Sequence, residues 1–440
     1  MRNETLEEWQ VPETRARRRI TVVGAGSGYM PGVIRGLLHR ADDLRGSELV
    51  FYDIDAGHLE LMAGLARRMF AARGAEYTVR TETERKAALD GADFVFTTFR
   101  PGGLPARRLD ETIPTRHGVV GQETNGPGGF FMACRSVPVL LDIARTVEEV
   151  APGAWIVNYT NPTNIVTGAV TRFTGARIIG LCDQFAGDQA MWAGLLGLPA
   201  DRLTVDWAGL NHATWALRVR VDGRDVTDDV ARRVHEIRTP DDPDTAKLVA
   251  IARAQGLLPN SYLRYYFAHD EMLAEARAKP TTRAEDIMAM LPAYYASVAR
   301  EAERDDPDPS RERGGGDHGE FAVDTICAVA HDEGRRLIVN TRNDGALRDL
   351  DDAGIVEVPS AVGAAGPVPL TMGHLPHRVR GLTQAIHEYE WLTARAAALG
   401  DRRTALRALL AHPNVRSQDA AERILDDGLA AHHAYLPQFA

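Results

Sequence analysis

Between residues 19 and 181 the chain alternates short apolar runs with amphipathic stretches, and this alternation restricts its fold more than any other feature. Strands are expected at 20–23, 48–52, 94–98, 155–158 and 177–181, and helices at 31–39, 57–72, 128–150 and 162–173. Strands that are apolar throughout must be covered on both faces, and intervening helices supply that cover in a parallel sheet. The expected fold is therefore α/β: a Rossmann-like, doubly wound parallel sheet followed by an α+β substrate and metal domain.

The first expected strand runs into Val22-Val23-Gly24-Ala25-Gly26-Ser27-Gly28, and a helix follows. In that setting a glycine turn binds a dinucleotide. Gly24, Gly26, Ser27 and Gly28 would bring backbone N–H groups close to a pyrophosphate at the helix N-terminus. The third glycine arrives one residue earlier than in G-x-G-x-x-G, where Tyr29 now stands. Asp53 closes the second strand. Its carboxylate would accept hydrogen bonds from ribose hydroxyls and repel a 2′-phosphate, which selects NAD over NADP.

After Cys182 the pattern changes. Residues 203–221 alternate with period two, as antiparallel strands do, and helices are expected at 226–237, 244–254, 262–278 and 283–301. Strands near 337–340 and 355–358 and helices at 378–399 and 404–410 complete the chain. A Pro-, Gly- and charge-rich stretch from Asp305 to Pro309, with Gly314-Gly315-Gly316, reads as a loop because apolar periodicity resumes at Phe321. The expected organisation is an arm over 1–18, a dinucleotide-binding domain over 19–181 and a substrate-binding catalytic domain over 182–440.

Composition narrows the partners. A net charge of −10 argues against nucleic acid, and the run Arg15-Ala16-Arg17-Arg18-Arg19 reads as a solvated entry segment. Residues 1–20 lack the apolar stretch of a signal peptide, and no run approaches the ~20 residues a membrane helix requires. The three cysteines (Cys134, Cys182 and Cys327) are odd in number and widely spaced, and read as reduced thiols in a cytoplasm.

Cys182, ending a strand, and His212, in the period-two segment, offer a thiolate and an imidazole to a divalent transition metal. Each alone reads more readily as a packed core residue than as a ligand. Two ligands do not hold a metal firmly, so substrate hydroxyls or water would complete the shell, which suits a Lewis acid acting on the substrate itself. Asp183 lies at the C-terminal end of a strand, where open α/β sheets bind ligands. It can serve as a general acid, as the N-cap of a helix over 184–193, or as both.

These residues resemble glycoside hydrolase family four, whose members use NAD and a divalent metal. The resemblance runs through almost the whole chain. It is carried by Arg107-Arg108-Leu109-Asp110-Glu111-Thr112-Ile113-Pro114, Gly118-Val119-Val120-Gly121-Gln122-Glu123-Thr124 and Gly126-Pro127-Gly128-Gly129. Asn158-Tyr159-Thr160-Asn161-Pro162, Cys182-Asp183, Asn211-His212, Tyr262-Leu263-Arg264-Tyr265-Tyr266 and Val356-Glu357-Val358-Pro359 also match.

The resemblance implies that Cys182 and His212 bind Mn²⁺ or a similar ion, that Asp183 is the acid and that Tyr262 is the base, with Tyr265 as the fallback. It also implies that Arg100, Asn161 and Arg283 grip the substrate and the anionic group at its C6, a task suited to the planar guanidinium fork. The implied reaction is hydrolysis of a C6-anionic hexoside, resembling a 6-phospho-α-glucoside. NAD⁺ takes a hydride from C3, the C2 proton becomes acidic, elimination expels the aglycone, water adds and the hydride returns. The expected setting is the cytoplasm, and the expected assembly is a homodimer or homotetramer with no nucleic-acid or membrane partner. Gln184-Phe185 departs from the Met-Pro that follows Cys-Asp in the α-glucoside branch. That departure keeps open an NAD-dependent sulfoquinovosidase with a C6 sulfonate. A 2-hydroxy-acid dehydrogenase, with Arg100 after a strand of the nucleotide domain, is the more distant alternative.

Overall fold

The computed structural model describes residues 17–308 and 319–440. The arm over 1–16 and most of the expected 305–316 loop lie outside these. Among the described residues, twelve strands form one continuous sheet. They are β1 (Arg19–Val23), β2 (Glu48–Tyr52), β3 (Thr78–Glu82), β4 (Phe94–Thr97), β5 (Trp155–Asn158), β6 (Arg177–Gly180), β7 (Leu203–Leu210), β8 (Ala213–Val221), β9 (Arg224–Asp225), β10 (Arg335–Arg342), β11 (Ile355–Gly363) and β12 (Gly366–Pro369).

The order begins β3-β2-β1-β4-β5-β6, with every neighbouring pair parallel. This is the doubly wound dinucleotide-binding arrangement expected from the apolar runs. β2 and β5 match expectation residue for residue, and β1, β4 and β6 do so to within one residue. β3 was not foreseen. It is an edge strand whose residues are all half-buried or exposed, so Thr-Val-Arg-Thr-Glu carries no apolar run.

The α+β half continues the same sheet. β10 pairs antiparallel to β6 at Asn340 and Gly180, and the order runs on through β11, β7, β8 and β9, with β12 on β11. One apolar cluster combines Ile20, Phe51 and Met62 with Val323 and Ile326 of the Glu320–Ala330 helix, so the late helix packs into the nucleotide-side core. A separate cluster around Trp207 and Trp215 lies against β7 and β8.

The single helix expected over 262–278 is broken. It comprises a 3₁₀ turn at Ser261–Leu263 and two helices, Arg264–Phe267 and His269–Ala278, that part at Ala268 (φ −118°, ψ 38°). At its start the adjacent Asn260 and the distant Asp188 accept from backbone N–H groups and so fix the 3₁₀ turn. Asn260 Oδ1 accepts from Tyr262 N–H at 2.9 Å, and Asp188 Oδ2 accepts from Ser261 N–H at 3.1 Å. Helices at Gly103–Arg116 and Gln418–Ala431 were also not anticipated.

Candidate active site

The carboxyl ends of β1, β2, β4, β5 and β6 lead directly into Gly24, Asp53, Arg100, Asn161 and Cys182, the edge of an open sheet where ligands bind. At the first of these, Gly24 turns with φ +92°, and a Cβ there would lie 2.1 Å from the Thr98 carbonyl oxygen, so only glycine fits. The Gly24 and Ala25 N–H groups donate to the Tyr52 carbonyl at 2.9 and 3.1 Å. Asp53 Oδ2 accepts from Gly26 N–H at 2.7 Å. Asp53 therefore first braces the turn, and each carboxylate oxygen retains a lone pair for a ribose hydroxyl. The Met30–His39 helix that follows has no side-chain cap on its first N–H groups. Since Met30 N–H donates to the Ser27 carbonyl at 3.0 Å and Pro31 has no N–H, the fit to a dinucleotide pyrophosphate rests on the glycine turn at the strand end and not on open helix N–H groups.

Cys182 and His212 come together across 30 residues, with Sγ and Nε2 3.5 Å apart and both residues buried. Metal bonds of about 2.3 Å to sulfur and about 2.1 Å to nitrogen, meeting at a near-tetrahedral angle, span this separation. His212 does not lie within a strand. It occupies the two-residue turn between β7 and β8 with φ 62°, a left-handed conformation that a histidine holds only when its surroundings fix it.

Those surroundings also set its tautomer. Gln122 Oε1 accepts from Thr124 N–H, from Asn125 N–H and from the Thr124 hydroxyl, at 2.7, 2.6 and 2.9 Å. With its one proton given to Gln122, Thr124 Oγ1 accepts from His212 Nδ1–H at 2.9 Å. The Nε2 lone pair then faces Cys182. Burial, against the pull of Glu123 and Asp183, drops the imidazole pKa to about 4, so the ring is a neutral ligand. Burial, with Glu357 and Asp183 nearby, pushes the Cys182 thiol up, which a bound cation would reverse. Among the described residues no third His, Cys, Asp or Glu joins the pair. The donors fit a divalent ion that takes its remaining ligands from substrate or water.

Tyr262 stacks on His212 with ring centroids 3.9 Å apart and planes inclined by 11°. Burial, then the charge of Glu123, pushes its hydroxyl well above the usual range. Tyr265 lies 6.0 Å from Tyr262, ring to ring, under the Arg264 guanidinium. Asp183 is half-buried at the N-terminus of the Gln184–Leu196 helix, and its side chain makes no capping hydrogen bond there. Gln184 Nε2 donates to Asp188 Oδ1 at 3.0 Å and to Ser261 Oγ at 2.9 Å, joining the segment after Asp183 to the turn bearing Tyr262.

Arg100 donates to Glu123, which Arg107 also contacts at 2.9 Å. Burial opposes the charge on Glu123, but the two arginines overcome it and hold the carboxyl below its usual range. Asn161 Oδ1 is buried with no hydrogen-bond partner among the described residues, as are the Tyr159 hydroxyl and Asn125 Nδ2. Arg283 is not brought beside these groups. It is exposed and lines a cavity of about 280 Å³ with Met290 and Tyr294, which none of Cys182, Asp183, His212 and Tyr262 lines.

Glu123, Thr124, Asn211 and Glu357 shape the site without having been given roles from sequence. All four stand in the motifs quoted above, and those polar loop motifs were the available signal.

The model of the family 4 glycosyl hydrolases matches residues 19–198, and that of their C-terminal domain matches 207–415. A protein named probable 6-phospho-beta-glucosidase from Bacillus subtilis is 38% identical over 96% of this chain and 98% of its own. A 6-phospho-alpha-glucosidase from Leptotrichia buccalis is 30% identical over 95% of this chain and 98% of its own. A 6-phospho-beta glucosidase from Thermotoga maritima, solved with manganese, NAD⁺ and glucose-6-phosphate, superposes with a TM-score of 0.86. It is 31% identical and covers 95% of this chain and 99% of its own.

Proposed function

The chain belongs to family 4 of the glycosyl hydrolases, and from that premise we propose that it hydrolyses 6-phospho-glucosides using NAD and a divalent ion such as Mn²⁺. The observation that carries the proposal is the pairing of Cys182 Sγ with the unprotonated Nε2 of His212 at 3.5 Å. The glycine loop braced by Asp53 lies along the same sheet edge. When bound, NAD supplies a reversible hydride acceptor, and the ion supplies Lewis-acid charge at the sugar hydroxyls.

The chain's own groups do the rest. Tyr262 takes the proton from C2. Its raised pKa keeps it a protonated phenol in the unliganded protein, and positive charge at the neighbouring Cys182–His212 pair would lower that pKa and make the phenolate available as the base. Asp183 gives a proton to the departing glycosidic oxygen. Arg100 and Asn161 bind the substrate and its phosphate, whereas Arg283, exposed at the separate cavity it lines with Met290 and Tyr294, takes no part in this reading. This assignment draws support from the unpartnered Asn161 Oδ1 and from the guanidinium charge of Arg100, which its buried partner Glu123 maintains. We assign 19–181 to dinucleotide binding and 182–440 to substrate and metal.

The protein is read as a cytoplasmic homodimer or homotetramer. Its three free, buried cysteines suit a reducing compartment, and its charge of −10 disfavours nucleic acid. No described helix is long and apolar enough to cross a membrane.

The test is a panel of nitrophenyl glycosides (6-phospho-α, 6-phospho-β, sulfoquinovoside and neutral) assayed with NAD⁺, with and without Mn²⁺. A 6-phospho-glucoside should be cleaved without NADH accumulating, and in D₂O the product should gain deuterium at C2. The favoured anomer follows from the same assay, since the relatives carry both names. Cleavage without label at C2, or stoichiometric NADH formation, would overturn the proposal.

A further inference from the structure

The Arg283–Ala302 helix lies in the substrate half, yet its middle reaches across to the glycine loop of the nucleotide half. Tyr294 O–H donates to the Gly28 carbonyl at 2.8 Å, and Tyr295 O–H donates to the Gly26 carbonyl at 3.0 Å. The Tyr295 ring stacks on His58, with centroids 4.0 Å apart and planes inclined by 27°. His58 is tied in turn to Asp55, its N–H donating to Oδ1 at 3.0 Å and its Nδ1 lying 2.8 Å from Oδ2. The helix thus touches the loop at two carbonyls and touches the segment after β2 through a ring stack.

A hydrogen bond to a loop carbonyl controls more than the oxygen that accepts it. The peptide unit is planar, so fixing the Gly28 carbonyl also fixes the direction of the Tyr29 N–H on its opposite side. That N–H donates to Ser27 Oγ at 3.3 Å, so fixing it also fixes the tip of the loop at the start of the Met30–His39 helix, where a pyrophosphate would bind. The anchoring helix is itself firmly rooted. Thr282 and Glu285 form a capping box at its start, and the buried Ala284 N–H donates to Glu111 Oε2 at 3.0 Å. Glu111 is further gripped by Arg107 Nε at 2.7 Å.

We propose that Tyr294 and Tyr295 form a clasp that locks the glycine loop around the resident dinucleotide, so that NAD stays bound through many turnovers. The reason such a clasp is useful rests on the proposed reaction. The hydride returns to the sugar in every cycle, so the coenzyme finishes as NAD⁺ and has no need to leave. A dehydrogenase with net turnover must release its coenzyme each time, and a locked loop would slow it.

The test measures NAD release with no sugar present. The full-length protein, loaded with NAD⁺, is moved into coenzyme-free buffer, and the NAD remaining on it is followed by chromatography after acid quench. Tyr294→Phe and Tyr295→Phe should each speed release by about fivefold, the effect of one hydrogen bond between neutral groups, and the double variant should speed it by more than either. The melting temperature of the NAD-free variants should stay close to that of the unsubstituted protein. His58→Ala, at a half-buried position, removes the ring stack together with the Nδ1 contact to Asp55 and leaves both tyrosine hydrogen bonds, and should give a smaller acceleration.

Release at the unsubstituted rate in the double variant overturns the clasp. So does a lowered melting temperature of the NAD-free protein with unchanged release, which would make the tyrosines packing groups only. The glycosidase reading fails on a different measurement, net NADH formation with sugar present, and the release assay would still decide the clasp in that event.

Discussion

The glycine loop and the Asn211–His212 turn are both short backbone bends at strand ends, yet they are secured in opposite ways. The loop is bonded from every side: Gly24 and Ala25 by Tyr52, Gly26 by Asp53, and the Gly26 and Gly28 carbonyls by Tyr295 and Tyr294. The turn keeps a left-handed histidine in place with a ring stack, one threonine contact and the Cys182 thiol at 3.5 Å, and its Asn211 reaches Glu357 only through long bonds of 3.4 Å. Buried polar atoms without described partners (Asn161 Oδ1, the Tyr159 hydroxyl and Asn125 Nδ2) lie in segments that carry the proposed substrate and metal residues. Buried unpaired polar groups cost free energy that a ligand can recover. A coenzyme that stays can be given a finished cradle. A site that must admit an ion and a sugar has to remain incomplete until they arrive.

The sharpest way to break this contrast is to strip the unfinished site alone. Cys182→Ser should cut metal-dependent turnover by roughly 10³-fold, the several kcal/mol that Lewis-acid charge supplies, while leaving NAD affinity unchanged. A Mn²⁺ titration of kcat beside NAD binding by fluorescence measures both. An equal loss of NAD affinity would mean that the two sites are one.

Tyr262→Phe comes next, with an expected fall in kcat of about 10² to 10⁴, the range of general base catalysis, and loss of deuterium uptake at C2. NAD and Mn²⁺ binding should survive, since the ring that stacks on His212 remains. Retained C2 exchange would transfer the role of base to Tyr265.

On the finished side, Asp53→Ala removes both the brace on Gly26 N–H and the ribose acceptor. NAD affinity should fall by about tenfold to a hundredfold, as for hydrogen bonds to a charged group, and Mn²⁺ affinity should not change. Isothermal titration with each ligand separately tests this.

The same contrast governs what could be read from sequence. The inner parallel strands β1, β2, β4, β5 and β6 were legible because they are covered on both faces, so their apolar runs are continuous and local, and the glycines stand beside the strand that positions them. Cys182, His212 and Asp183 stood out as candidates from their chemistry and position, whereas Tyr262 and the roles given to all four came only through motif resemblance. Their partners were not legible, because Thr124 meets His212 across 88 residues and Asn211 meets Glu357 across 146. The 3₁₀ turn ahead of Arg264 was hidden for the same reason: Asp188, far from Ser261 in sequence, takes its backbone N–H. β3 escaped because an edge strand need not be apolar.

The smallest expected effect concerns Glu357, which is 2% exposed and accepts from Asn211 Nδ2 at 3.4 Å on each oxygen. Burial, aided by the charges of Asp188 and Asp183, raises its pKa from an ordinary 4.5 to about 8. The folded protein therefore keeps a proton that the unfolded chain releases above pH 4.5. The stability this proton confers is complete below 4.5 and is lost progressively as pH rises through 8. Asp188, raised to about 6, acts with the same sign at lower pH. In metal-free buffer the melting temperature should decline from pH 5 to pH 8. Glu357→Gln, which keeps the shape and an acceptor for Asn211, should flatten that decline by a few degrees and leave the part below pH 6 that Asp188 causes. If the unsubstituted protein melts at one temperature across the whole range, Glu357 is already ionised in the fold. The His212 turn would then stand beside a fixed negative charge, a finished electrostatic cradle for a cation, and its contrast with the glycine loop would disappear.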